Sequence, residues 1–529
     1  MTLSPILSPL SNELPSEFAD RLGEQYTKTV TQLHKKAKGQ FFTPLKIARF
    51  MGTMAKTEKH SISILDPGSG TGILTCSIVE HLIIANSSLK EIFVDLFEID
   101  AEVIPFLEAC IEYLKKWSYN HKVKFIYNIH EKDFILMNGK KIQNPSLDLY
   151  NEDTNTRLYD FAISNPPYFK LSKDDPRSRL STIITSGQNN IYSTFMAVTS
   201  SLLKIEGRAI FITPRSFASG SYFKAFREYF FNHMQINWIH LFASRKDTFK
   251  RDSVLQETII IQSEKRNKVD SNEFIKVTSS NGSNDLKDIS ERKYMSFDLI
   301  DLNSEEKILH VPISNEEDEI FKIFRQWPNR LKNFNIQIST GPVVSFRAKC
   351  HLHEKSISNV NSFAPLIWLH NVSKFKVNWP DPKPGKGQYI NIDHSSVKLL
   401  IPNKNYVLLR RFSSKDDKSR LIAAPLFKEE YISEYLGIEN KVNYIYRING
   451  ELSKPEVIGI TALLNSTLFD KYFRIFNGNV NVSATELRVM PFPPLEKIIV
   501  LGNEIEIKQL TENESINKLV NDHFGINTF

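Results

Sequence analysis

Four consecutive residues, Asn165-Pro166-Pro167-Tyr168, follow the apolar stretch 159–164 and combine groups able to activate a planar amine. The Asn165 side-chain carbonyl and the Pro166 backbone carbonyl can point into one pocket and accept both hydrogens of an exocyclic amino group. Those two bonds localise the nitrogen lone pair, which otherwise conjugates into the ring, and so make the nitrogen nucleophilic. Each proline fixes φ near about −65°, which stiffens the loop. Tyr168 offers a face on which a base can stack, worth roughly 1–3 kcal/mol. The plain alternative is a proline turn after a strand; other features of the chain decide against it.

A second segment, Asp66-Pro67-Gly68-Ser69-Gly70-Thr71-Gly72, ends a strand and opens a helix. Gly68, Gly70 and Gly72 let the backbone bend tightly and approach a ligand closely. The spacing is not G-x-G-x-x-G, and Asp66 puts a carboxylate near where a pyrophosphate would lie. A zwitterionic ligand with an amine suits the turn better than a dinucleotide. Glu98, followed by Ile99 at the end of the next strand, can accept hydrogen bonds from both ribose hydroxyls. After the third strand, Asp133 and Phe134 supply an acid for an adenine amino group and a ring to stack on. Together these residues describe a pocket for S-adenosyl-L-methionine.

The elements that must position them alternate. Strands are predicted over 61–65, 91–97, 123–127, 161–164, 209–213 and 257–262, with helices over 46–55, 73–85, 101–117 and 191–203. Strands separated by helices of this length imply βαβ units and a parallel sheet. The stretch 279–284 reads as a loop or short linker. From about residue 331 the alternation is lost, so two domains are expected, 1–310 and 311–529.

Charge separates the same two regions. The chain carries a net +7, and residues 331–480 alone hold 21 lysines and arginines against 12 acids. A clustered cationic region is the footprint of a nucleic-acid binder, because each phosphate neutralised releases counterions. The three cysteines form no CxxC pair, which points to a reducing cytoplasm and to no zinc site. His351 and His353 read as structural. No membrane span and no signal peptide are expected.

In order and type, these motifs resemble the N6-adenine DNA methyltransferases of the gamma arrangement, the Eco57I-type methylase group. Gly39-Gln40-Phe41-Phe42-Thr43-Pro44 looks like their N-terminal cofactor motif, which closes over the methionine part of the ligand. The resemblance assigns cofactor contacts to Gln40, Phe41, Thr43 and Pro44, and makes Phe249 the second base-stacking ring. It implies a Rossmann-like α/β catalytic domain with a mostly parallel sheet and a C-terminal α+β target-recognition domain. Segments 341–344, 410–412 and 482–487 look like parts of that region, with Arg410, Arg411 and Lys415 as candidate DNA contacts. The implied partner is double-stranded DNA, beside a possible cognate restriction endonuclease, and the implied state is a monomer. The loop chemistry leaves other acceptors open: cytosine N4, an RNA base or a protein glutamine. A catalytically idle DNA-binding specificity protein is a further alternative.

Overall fold

The computed structural model describes residues 6–31, 34, 38–39, 42–143, 157–185, 189–242, 257–287, 289–354, 362–413, 417–478 and 481–524. The chain divides into two compact units, Met1–Ile313 and Ser314–Phe529.

The first unit is built on a nine-stranded sheet. Its strands are β1 (Ser61–Asp66), β2 (Glu91–Phe97), β3 (Lys124–His130), β4 (Tyr159–Ser164), β5 (Leu203–Pro214), β6 (Met234–Phe242), β7 (Thr258–Lys265), β8 (Phe274–Ser280) and β9 (Ser290–Met295). Their spatial order is β3-β2-β1-β4-β5-β7-β6-β8-β9. The first five run parallel. Strand β7 lies antiparallel between β5 and β6, β6 and β8 pair parallel, and β9 closes the edge antiparallel. This is the expected Rossmann-like α/β class.

The central strands are apolar because both faces are covered. Ile62 to Asp66 of β1 are all buried, and Ile64, Ile92, Val94 and Ile163 join one core with Val79 from the following helix. That helix, Ile73–Ala85, is apolar almost all round, as a helix must be when neighbours cover every side. Its buried acid, Glu80, accepts from the Ser16 backbone N–H (2.5 Å) and hydroxyl (2.8 Å), so it tethers the start of the helix Pro15–Thr29. The strand order turns around between β1 and β4, and such a switch point opens a crevice at the carboxyl ends of the strands. The segments after β1, β2 and β4 therefore converge there.

The structure adds elements to the reading from sequence. β6, β8 and β9 extend the sheet, and the supposed linker is part of it: Ser279 and Ser280 complete β8. No helix among the described residues is long and apolar enough to cross a membrane.

The second unit is α+β. Strands Ile336–Thr340, Val442–Arg447, Tyr406–Arg410 and Ala423–Leu426 form one antiparallel sheet in that order. A second sheet joins five shorter strands, and helices fill the C-terminal part. The acidic run 316–319 begins the helix Asn315–Arg325, whose first turn is capped when Ser314 Oγ accepts from Glu317 N–H at 3.1 Å. Acids at that end complement the helix dipole.

Gly72 begins the helix Ile73–Ala85 at φ 87°, and a Cβ there would lie 3.1 Å from Leu107. Gly72→Ala is expected to cost about 1–3 kcal/mol, since a non-glycine residue is strained in this conformation. Urea denaturation of the two proteins side by side measures it.

Candidate active site

A cavity of about 310 Å³ opens at the carboxyl ends of β1, β2 and β4, within the range of small-ligand sites. The turn after β1 forms its floor, with Gly70 at φ 54°. Gly70 N–H donates to Glu98 Oε2 at 2.9 Å, and the N–H groups of Ile99 and Asp100 donate to Oε1 at 2.9 and 2.8 Å. Burial raises the Glu98 pKa, while these three donors work against the rise. A carboxylate offers about four lone-pair sites, so the pinned group still presents an acceptor to a diol.

Phe134 meets Phe97 edge-on at 5.2 Å and Phe195 at 5.3 Å between centroids, giving an aromatic wall. Phe195 and Ile191 both line the cavity, one helical turn apart on the same face. Asp133 caps the helix Phe134–Asn138 by accepting from Leu136 N–H at 2.8 Å, and its other oxygen lies 3.4 Å from Arg177.

Lys38, Phe42 and Thr43 of the N-terminal motif form the facing wall. Asp100 anchors this segment, accepting from the Tyr26 hydroxyl at 2.8 Å and pairing with Lys38 (2.8 Å) and His34 (2.9 Å). At Gly39, φ 61°, a Cβ would sit 2.7 Å from the Phe169 ring and 3.1 Å from the Tyr168 nitrogen, so the motif and the loop after β4 touch. In that loop Asn165 Nδ2 donates to Thr43 Oγ1 at 3.0 Å. The Tyr168 hydroxyl lies 2.6 Å from Asn165 Oδ1 and 3.0 Å from the Ile212 carbonyl, and shares its single proton between these two acceptors.

Of the residues singled out from sequence, Thr43, Gly68, Gly70, Glu98, Ile99, Asp133, Phe134, Asn165 and Pro167 share this one cavity. Pro44, Asp66, Gly72, Pro166 and Tyr168 do not line it. Asp66 lies buried beneath the turn, where its Oδ2 accepts from the Thr75 hydroxyl at 2.7 Å and its Oδ1 has no partner among the described residues. Gln40, Phe41, Phe249 and Lys415 fall outside the described residues. In the second unit Arg410 Nε donates to the Val372 carbonyl (2.6 Å) and Arg411 to that of Asn440 (3.1 Å), so both arginines hold backbone. Lys38, Asp100, Phe169, Arg177 and Phe195 escaped the sequence reading; the Ile191/Phe195 spacing was the available signal for the last. No group of three or more His, Cys, Asp or Glu among the described residues could hold a metal ion.

Residues 79–249 match the Eco57I restriction-modification methylase family. The chain is 34% identical to the type II methyltransferase M.BsuBI of Bacillus subtilis over 473 residues, 89% of this chain and 90% of that protein. It is 30% identical to the type II methyltransferase M.PstI of Providencia stuartii over 508 residues, 95% and 96% of the two chains. The chain belongs to this family. It is a type II DNA methyltransferase of restriction-modification systems, and S-adenosyl-L-methionine is its methyl donor. Among solved structures, the type IIG restriction endonuclease BpuSI aligns with a TM-score of 0.47 and 13% identity, over 97% of this chain and 68% of that one. The cavity of this methyltransferase gathers a fixed acid, an aromatic wall and, at one side, the Asn165 amide.

Burial pushes the Asp66 carboxyl up to about 7, the Thr75 hydroxyl opposing. The folded protein then holds a proton that the unfolded chain releases near its ordinary value of 3.8. Stability from this group is complete below that value and is lost as pH rises towards about 7, by up to ~4 kcal/mol. In cofactor-free protein, Asp66→Asn is expected to flatten this part of the stability profile between pH 4 and 8. Denaturation midpoints across that range measure it.

Proposed function

We propose that this methyltransferase modifies N6 of an adenine flipped out of duplex DNA at a short recognition sequence. The observation that carries the reading is the Asn165 amide, held beside the cofactor cavity by Thr43 on one side and Tyr168 on the other. With Nδ2 engaged by the Thr43 hydroxyl, Oδ1 is left as the acceptor edge of the amide.

An amine inside a duplex is out of reach, so the nucleotide must swing out at a cost of a few kcal/mol. Asn165 Oδ1 and the Pro166 carbonyl then accept the two amino hydrogens and direct the nitrogen lone pair at the methyl group. Thr43 and Tyr168 keep the amide from rotating, so less orientation is lost at the moment of reaction, and positioning of this kind can supply roughly 7–11 kcal/mol. Bound S-adenosyl-L-methionine supplies a sulfonium methyl: the N–C bond forms as the S–C bond breaks, and sulfur keeps the electron pair. The nitrogen loses its extra proton afterwards, so no protein nucleophile is needed. Glu98 holds the ribose, Asp133 and Phe134 the adenine of the cofactor, and Tyr168 with Phe249 the target base. The chain works as a monomer, as the modification partner of a separate endonuclease that cuts the same site.

Asn165→Ala is expected to lower methyl transfer by roughly a thousandfold, the scale of losing one preorganised group at a reacting centre, with cofactor affinity within a few-fold of wild type. Single-molecule sequencing of DNA from a methylation-free bacterial host expressing each form reads base and site together. N6-methyladenine at one motif, absent with the variant, is the expected result; methylation at cytosine N4 would change the base, and activity in the variant would remove Asn165 from its role.

A further inference from the structure

Three separate stretches of the second unit meet at one backbone junction, the tight turn Glu439-Asn440-Lys441. Gly341 N–H donates to the Val442 carbonyl at 2.8 Å, Val343 N–H to Ile438 at 3.0 Å, and Asn440 N–H to Val343 at 2.9 Å. The approach is so close that a Cβ on Gly341 would lie 2.3 Å from the Glu439 carbonyl. From another side Arg411 N–H donates to the Lys441 carbonyl (2.9 Å) and Val482 N–H to Arg411 (2.8 Å), while Phe412 bridges to Asn481. Asn443 locks the arrangement, accepting from Thr340 Oγ1 at 3.0 Å and donating to the Val482 carbonyl at 2.9 Å.

What this rigid junction displays is unusual for a protein surface. Phe346, on the turn that follows Val343, is 76% exposed, and Phe412 is 41% exposed. The Arg347 guanidinium lies 5.4 Å from the Phe346 ring centroid, Lys349 is exposed, and Lys441 lies half in solvent. Between Thr340 and Glu354 the sequence has no acid. The acid of the junction itself, Glu439, is buried, with one oxygen accepting from Leu369 N–H at 3.0 Å and the other 3.8 Å from the Lys441 ammonium. A single exposed ring needs no explanation. Two rings and the cations Arg347 and Lys349, the latter two on a stretch without acids between Thr340 and Glu354, match the surface of a nucleic acid: base faces to stack on, phosphates to neutralise.

We propose that this junction is a DNA-contact surface in which Phe346 packs against base faces at an unstacked step and Arg347 and Lys349 bind the flanking phosphates. The inference rests on the reading of the chain as an enzyme acting on duplex DNA, and it adds contacts to the expected ones at Arg410 and Arg411. The test uses the full-length protein and duplex oligonucleotides carrying the motif that sequencing identifies. Phe346→Ala is expected to weaken DNA binding at least tenfold, as lost base stacking does, while Phe346→Trp stays within threefold of wild type. Arg347→Gln with Lys349→Gln is expected to lower the slope of log affinity against log salt by about two. Cofactor affinity by calorimetry stays unchanged in all of them. Unchanged DNA affinity and salt slope in variants of an active wild type would overturn the surface. A wild type that methylates no DNA would instead overturn the functional reading on which it rests.

Discussion

The hydrogen bond from the Gly70 amide to the Glu98 carboxylate joins the ends of two neighbouring strands, and the site follows from it. Parallel pairing brings β1 and β2 side by side, but pairing alone leaves their loops free. With Gly70 on one oxygen and the amides of Ile99 and Asp100 on the other, the acid is fixed before any ligand arrives. The same stretch then places Asp100, which collects Tyr26, His34 and Lys38 from the N-terminal segment. One strand end thus supports both floor and facing wall. A charge so buried would be costly without such partners, which is why the acids here come with dense sets of donors.

The contact between Asn165 and Thr43 extends this logic from the cofactor to the acceptor. The N-terminal segment that lines the cavity also holds the Asn165 amide, and Gly39 makes the approach of the two possible. The reacting groups come from widely separated parts of the sequence, yet each is held by another part of the site. Buried side chains elsewhere in the first unit are structural in the same economical way. His240, for example, sits among Phe50, Phe242, Thr278 and Ser280, and burial pushes its pKa down to about 3, so it packs as a neutral ring.

The first five strands were legible because their runs are apolar and end at proline, glycine or acid, as in β1 before Asp66-Pro67-Gly68. β6 and β8 were not. His240 and Thr278 look exposed by type, but they are buried and bond each other across the sheet, a pairing that exists only after the strands meet. Asn165, Glu98 and Gly70 were readable because their chemistry demands that residue type at that place. Asp100 and Arg177 act through contacts between distant elements, and no local pattern marks them. Arg410 and Arg411 read as a phosphate contact by type; what the sequence does not show is that one N–H of each donates to a backbone carbonyl.

The turn that presents Phe346 hangs from its neighbours through main-chain groups: the bonds of Gly341, Val343 and Asn440 all run from amide to carbonyl. Such a mount is indifferent to which side chains the turn carries. Its outward residues can therefore drift without disturbing the sheet beneath, whereas a change at Glu98 or Asn165 removes a part on which others lean. A surface mounted in this way can change its outward residues over evolutionary time while the cavity lined by Glu98 and Asn165 stays as it is.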